Sequence, residues 1–196
     1  MPHLPRISGQ KPEEQVVDNL PDLPRIIEGT LHRILQPEDL AAIFRYDHDW
    51  YPYYLLLFTT GIRPDDTALL TNNNISYKRN IIGYFPQGSE KYRELPVPQD
   101  VLSLVPHDHS AGQPLFPEIF VDVEDPWIRE EVLNERLGQP AEFMESLLAA
   151  ADRPAASLIS FRITFEHIIR KGLSGSGPAG IPLKTILPET MEIPRT

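Results

Sequence analysis

The feature that most constrains this chain is a segment that is apolar on nearly every side of a helix. Residues 51–60 read YPYYLLLFTT. Because such a helix has no face suited to water, the sequence predicts that it is buried. Gly61 is placed to end it in the left-handed conformation. Pro64 is placed to open a further helix with two aspartates in its first turn, so Arg63 lies at a short corner between two helices.

The remaining segments predict a mostly helical domain with one small three-stranded antiparallel sheet, an α+β fold. Helices are expected where apolar residues recur every three or four positions, and strands where they alternate. The predicted helices are 36–46, 51–60, 64–74, 99–105, 127–137, 141–151 and a stripe over 158–169, and the predicted strands are 75–77, 81–85 and 94–97.

The ends of the chain differ in composition from its middle. Residues 1–29 are rich in proline and predict an extended arm or linker, whereas residues 173–196 predict an irregular tail rich in glycine and proline. The domain itself is expected over residues 30–172.

Composition limits the possible functions. With no cysteine, the chain has no disulfide and no thiolate metal site. The longest apolar run is too short to span a bilayer, and no signal pattern begins the chain, so a cytoplasmic protein without membrane contact is expected. No cofactor is expected. The net charge of −10 opposes a nucleic-acid partner, but residues 118–152 alone carry −8 whereas residues 153–172 carry +3, which leaves room for a weak basic face.

Three segments occur in this order: LLLFTTGIRPDDTALL over 55–70, KYRELPV over 91–97 and ISFRITF over 159–165. Together they resemble the signature boxes of the tyrosine recombinase (phage integrase) catalytic domain. The first is LLLFTTGIRPDDTALL, in which Arg63 and Asp66 match an arginine and the acid three positions later. The second is KYRELPV, which matches the end of a β-hairpin, where a basic residue is followed by the last strand. The third is ISFRITF, which matches the second arginine box at Arg162 but has Ile159 where the family has histidine. The resemblance covers about residues 35–171.

The resemblance implies a role for each matched residue. Arg63 and Arg162 would clamp a phosphate, because two guanidinium groups can stabilise charge on its oxygens. Lys91 would be the general acid, although it lies three residues after the family's position, which Gly88 occupies. The implied partner is double-stranded DNA, with other recombinase subunits as further partners. The implied DNA-binding residues are Lys78, Arg79, Arg93, Arg170 and Lys171.

The residues alone also allow a simpler interpretation of the two arginines. Arg63 could be a surface residue at a helix junction, and Arg162 could pair with Glu166 one turn later. Two other groups, His107-Asp108-His109 and Asp47-His48-Asp49, have spacings that suggest a metal, but a solvated loop is the favoured interpretation of both.

The departures from the family bear on function. The last tyrosine is Tyr92, so no tyrosine follows Arg162, and Ile159 cannot transfer a proton. The sequence therefore predicts a DNA-binding protein of the site-specific recombination or integration class that does not cleave DNA alone. A truncated recombinase and a relative kept for binding both explain this pattern. The alternatives are a protein-interaction module that keeps the fold, and an enzyme that takes its tyrosine from a partner chain.

Overall fold

The structure is a computed structural model that describes residues 31–105, 110 and 112–170. The expected arm over 1–29, the expected tail over 173–196 and the His107-Asp108-His109 group lie outside the described residues. The helices are α1 (Pro37–Ile43), α2 (Tyr51–Thr60), α3 (Pro64–Thr67), a 3-10 turn (Asn72–Asn74), α4 (Gln99–Leu104), α5 (Pro126–Ala150) and α6 (Ile159–Arg170), and the strands are β1 (Ile75–Ser76), β2 (Ile81–Tyr84) and β3 (Arg93–Pro96). The described part is thus mostly helical with one small sheet, as the sequence predicts.

Helix α2 lies at the centre of the core, with every residue from Tyr53 to Thr60 buried. Its apolar side chains leave no surface that would favour water, and the hydroxyls of its last two threonines donate to carbonyls one turn earlier. Gly61 ends α2 with φ of 64°, the left-handed conformation that the sequence predicts. Helix α6 packs along α2, where the rings of Tyr54 and Phe161 stack with centroids 5.5 Å apart.

The three strands form an antiparallel sheet in the order β1-β2-β3. Asn80 takes a positive φ of 52° in the turn before β2. In the β2–β3 ladder, Ile82 lies opposite Leu95 and Tyr84 opposite Arg93. The end of β2 that carries Tyr84 therefore leads into the loop that contains Lys91.

A buried ion-pair cluster joins the start of α1 to the segment before α6. The carboxylate of Asp39 is fully buried and forms ion pairs with Arg33 and Arg153. The Nε of Arg153 donates to Asp39 Oδ1 at 2.8 Å, and the N–H of Gln36 donates to Oδ2 at 2.8 Å. Since Asp39 and Arg153 are far apart in sequence, the cluster fixes the packing of α1 against the chain that leads into α6.

Two helices end earlier than predicted. Helix α1 ends at Ile43, earlier than residue 46. Helix α3 ends at Thr67, and Asn72–Asn74 forms a separate turn, because the carbonyl of Leu70 accepts from Leu115 N–H at 2.9 Å in a tertiary contact. Such contacts replace the intrahelical hydrogen bonds that would have extended the helix.

The two helices predicted over 127–137 and 141–151 are one continuous helix, α5, with Pro140 inside it. Proline normally breaks a helix because it has no N–H and crowds the preceding turn. Here Pro140 is buried, and its carbonyl accepts a hydrogen bond from the hydroxyl of Tyr54 at 2.5 Å. Packing against α2 therefore outweighs the local preference for a break.

Across residues 31–105, 110 and 112–170, none of the helices combines the length and the apolarity needed to cross a bilayer.

Candidate functional site

The corner after α2 packs directly on α6. A β-carbon added to Gly61 would lie 2.3 Å from Cδ1 of Phe165, so only glycine permits this approach. Arg63 follows Gly61 by two residues, and Arg162 precedes Phe165 by nearly one helical turn. The contact between Gly61 and Phe165 therefore fixes the relative positions of the two backbone segments that carry the arginines.

Arg63 is the residue immediately before α3, and its backbone is extended with φ of −73° and ψ of 143°. Its side chain is 41% exposed and forms an ion pair with Asp65. The Nε donates to Asp65 Oδ1 at 3.0 Å, and Nη2 donates to Oδ2, so one edge of the guanidinium is fully engaged. Burial alone would lower the pKa of Arg63, but Asp65 and then Asp66 raise it above its ordinary value, and the side chain stays charged.

Arg162 lies on α6 with its side chain only 14% exposed. Its Nε donates to Oε1 of Glu166 at 2.8 Å, in the pairing that the simpler interpretation of the sequence predicts. Glu166 is buried, and its Oε2 is a buried oxygen without a hydrogen-bond partner in the described part of the chain. The contact with Glu166 uses Nε of Arg162, so the Nη1 and Nη2 end of the guanidinium is not engaged by Glu166.

Asp66 is a buried carboxylate at the same corner, three residues after Arg63. It is 2% exposed, and its Oδ1 accepts from the N–H of Gln87 at 2.7 Å. Burial raises the pKa of Asp66 above its ordinary value, while the N–H of Gln87 and the charges of Arg63 and Arg162 act in the opposite direction.

Tyr84 lies beside the same charges at the end of β2. Burial, and next the charge of Asp66, raises the pKa of Tyr84 to about 12, whereas Arg93, Arg162 and Arg63 lower it. The ring is 6% exposed, and its hydroxyl makes no hydrogen bond within residues 31–105, 110 and 112–170. The phenol is therefore protonated at neutral pH.

Three of the five basic residues predicted to contact DNA lie in and around the sheet, namely Lys78, Arg79 and Arg93. Lys78, Arg93 and Lys91 are exposed, and Arg79 pairs with Glu94 through two hydrogen bonds of 3.0 and 2.7 Å. The N–H of Lys91 donates to Ser89 Oγ at 3.2 Å, which places its backbone in the β2–β3 loop. The side chain of Arg170 and the whole of Lys171 lie outside the described residues.

Two features of this site did not follow from the sequence. Asp65 directly precedes the family's acid, and nothing in the pattern distinguishes it as the partner of Arg63. Tyr84 is buried in the sheet, and no local pattern indicates that the charges of the two arginines act on it. Outside this site, His48 is half-buried among aromatic rings and not in a solvated loop, and its Nε2 lies 3.0 Å from the carbonyl oxygen of Ile43.

Comparison with known proteins gives a likeness at the level of the fold. Neither a protein-family model nor a curated protein sequence matches this chain. A crystal structure of XerA recombinase superimposes with a TM-score of 0.50 at 17% sequence identity, covering 81% of this chain. The fold is recombinase-like. The chain spans 56% of the length of the XerA recombinase chain, and at this level of identity the likeness concerns the fold alone.

Proposed function

We propose that this protein binds double-stranded DNA in the class of site-specific recombination or integration proteins, and that the chain alone does not cleave DNA. The observation that carries the proposal is the contact between Gly61 and Phe165, which packs the corner that bears Arg63 against the helix that bears Arg162. The recombinase-like fold supports the same class. In this account the two guanidinium groups hold one DNA phosphate between them.

The chemistry of the two side chains fits a phosphate. A guanidinium group presents donors in a rigid fork that matches the geometry of phosphate oxygens, and it stays charged at any physiological pH. Arg162 is held by Glu166 through its Nε, so the guanidinium of Arg162 is ordered before a ligand arrives. Ordered donors cost less entropy on binding than free ones.

Strand cleavage by the chain alone is not part of the proposal. The tyrosine beside the arginines is Tyr84, and a buried phenol with a pKa near 12 is a weak nucleophile at neutral pH. Ile159, at the position of the family's histidine, opens α6 and cannot transfer a proton. If recombination takes place, the attacking tyrosine comes from a partner chain in this account.

Binding to a labelled duplex over a series of salt concentrations tests the proposal. We expect weak binding that falls steeply with salt, because phosphate contacts release counterions and the net charge of −10 opposes association. Arg162→Lys keeps the positive charge but loses the paired N–H donors of the guanidinium group, so this variant should bind DNA more weakly than the wild-type protein. Absence of binding to any duplex at low salt would rule the proposal out.

A second candidate function is a protein-interaction module that keeps the fold. Trp127 is 82% exposed and Ile128 is 52% exposed at the start of α5, in the stretch over 118–152 that carries the excess of acids. Exposed aromatic residues are enriched at protein interfaces. This candidate predicts that Trp127→Ser abolishes binding to a protein partner and leaves DNA binding unchanged.

A further inference from the structure

The two arginines are each paired with a carboxylate, but the two pairs differ in burial and in geometry. Asp65 engages Nε and Nη2 of Arg63 together, in a pair that is 41% and 21% exposed. Glu166 accepts from Nε of Arg162, in a pair that is 14% and 8% exposed. An ion pair between an arginine and a carboxylate therefore occurs once at the rim of the site and once inside it.

At the rim of the site, a ligand can replace the carboxylate of Asp65 on Arg63. Asp65 occupies a bidentate edge of Arg63, which is the geometry that a phosphate also takes. An ion pair that water reaches is weakened by screening, and holding two side chains in one geometry costs entropy. Asp65 released from Arg63 can turn to solvent, so exchange of its carboxylate for a phosphate costs little.

The inner pair has the opposite character. Glu166 is buried and has one oxygen without a partner, so it has no solvated position to move to when its contact with Arg162 breaks. Because that contact involves Nε, the Nη1 and Nη2 end of Arg162 remains for a ligand. Glu166 therefore fixes the orientation of the guanidinium without occupying the end that would meet a phosphate.

We propose that Asp65 is an internal competitor for the phosphate on Arg63, whereas Glu166 positions Arg162 for that same phosphate. The inference rests on the proposed function, since it concerns the same site. It assigns opposite effects to two carboxylates that carry the same charge. Simple electrostatic repulsion of DNA would instead make removal of either acid favourable.

Four variants that each remove one negative charge separate these possibilities. They are Asp65→Asn, Glu166→Ala, Glu166→Gln and, as the matched control, Glu142→Gln. Glu142 is exposed on α5 and has no ion pair within the described residues. The readout is the anisotropy of a labelled DNA duplex at low salt, with inorganic phosphate as the competing ligand, and a thermal unfolding curve shows that each variant is folded.

Relative to Glu142→Gln, we expect Asp65→Asn to bind the duplex about two- to fivefold more tightly, because a competing ion pair that water reaches is removed. Inorganic phosphate should also compete at a lower concentration in this variant. Glu166→Ala should bind about tenfold more weakly than the control, because a buried charge-assisted hydrogen bond is lost. Glu166→Gln keeps an acceptor for Nε and should restore binding to within about twofold of the control.

The inference is overturned if Asp65→Asn binds no more tightly than Glu142→Gln, or if Glu166→Ala binds as tightly as that control. If Glu166→Ala does not fold, the comparison of Asp65→Asn with Glu142→Gln decides alone. Failure of the proposed function looks different: neither the wild-type protein nor any variant binds duplex at low salt. Binding that Arg162→Lys weakens but Asp65→Asn leaves unchanged would overturn the inference and retain the function.

Discussion

Gly61 and the ring of Phe165 are in direct contact, and this contact holds the corner after α2 against α6. A β-carbon on residue 61 would lie 2.3 Å from Phe165 Cδ1, and the φ of 64° disfavours any residue with a side chain. Arg63 and Arg162 are each within three residues of this contact. Their relative placement therefore depends on a glycine that makes no polar contribution to the site.

We expect Gly61→Ala to destabilise the protein through both strain and overpacking. Gly88→Ala is the matched control, because Gly88 has φ of 75° but no atom within 4 Å of its added β-carbon. Both variants place alanine in the left-handed backbone conformation, which is strained. The free energy of unfolding should fall by about 1–3 kcal/mol more for Gly61→Ala, because its β-carbon also clashes with Phe165. Urea unfolding of both variants measures the difference. Equal losses would show that the contact with Phe165 is not tight.

The backbone around this corner follows from the sequence alone. An apolar run, a glycine and a proline specify a buried helix, a left-handed stop and a new helix start, and each is found where the pattern places it. These are local effects, fixed by sterics and by hydrogen bonding within a few residues. The continuous helix through Pro140 was not predictable in this way, because the hydrogen bond from Tyr54 to its carbonyl is tertiary.

The buried carboxylate of Asp39 should be needed for stability. Asp39→Asn removes the charge that compensates Arg33 and Arg153, and breaking a buried pair in this way costs about 3–5 kcal/mol. Glu38→Gln is the matched control, because Glu38 is exposed and lies 3.8 Å from Arg153, so its loss should cost under about 1 kcal/mol. Chemical denaturation compares the two. A loss for Asp39→Asn no larger than that for Glu38→Gln would contradict this account of the cluster.

The same carboxylate should make stability depend on pH in the acid range. Burial on its own would raise the pKa of Asp39, but hydrogen bonds from Arg33, Arg153 and Gln36 hold it below its ordinary value. The contribution of the Asp39 carboxylate to the free energy of unfolding is thus complete above the pKa of about 4 that it has in the unfolded chain. It is lost as the pH falls through the lower pKa of the folded state. The free energy of unfolding should decline in this acid range more steeply for the wild-type protein than for Asp39→Asn. Parallel curves would show that Asp39 is not the cause.

The isolated chain should form no covalent adduct with a nicked suicide substrate. Covalent strand transfer needs a tyrosine held in line with the scissile phosphate, and no tyrosine follows Arg162 in this sequence. Tyr84 is near the arginines, but its raised pKa keeps the phenol protonated. Denaturing gel electrophoresis detects an adduct directly. An adduct that Tyr84→Phe removes would show that the site is assembled differently from the family pattern.

The ordered motifs of the sequence point to Arg63 and Arg162, which stay a prediction as a site, and helical spacing predicts the pair of Arg162 with Glu166, which the structure confirms. The burial of Asp66 and its hydrogen bond from Gln87 depend on how the corner after α2 packs, and no local pattern indicates that packing. The cluster of Asp39 with Arg153 could not be predicted from the sequence for the same reason, since its members approach one another only in the folded chain.

The most direct test of the central claim is a double-mutant cycle on DNA binding with Arg63→Lys, Arg162→Lys and the combined variant. All three keep the net charge and lose only the fork geometry, and Arg45→Lys on an exposed arginine is the control. If both arginines hold one phosphate, each single change should weaken binding about tenfold, and the combined loss should depart from additivity by at least about 0.5 kcal/mol. Losses that simply add, or single variants that bind as tightly as Arg45→Lys, would contradict the claim that the two side chains form one phosphate site.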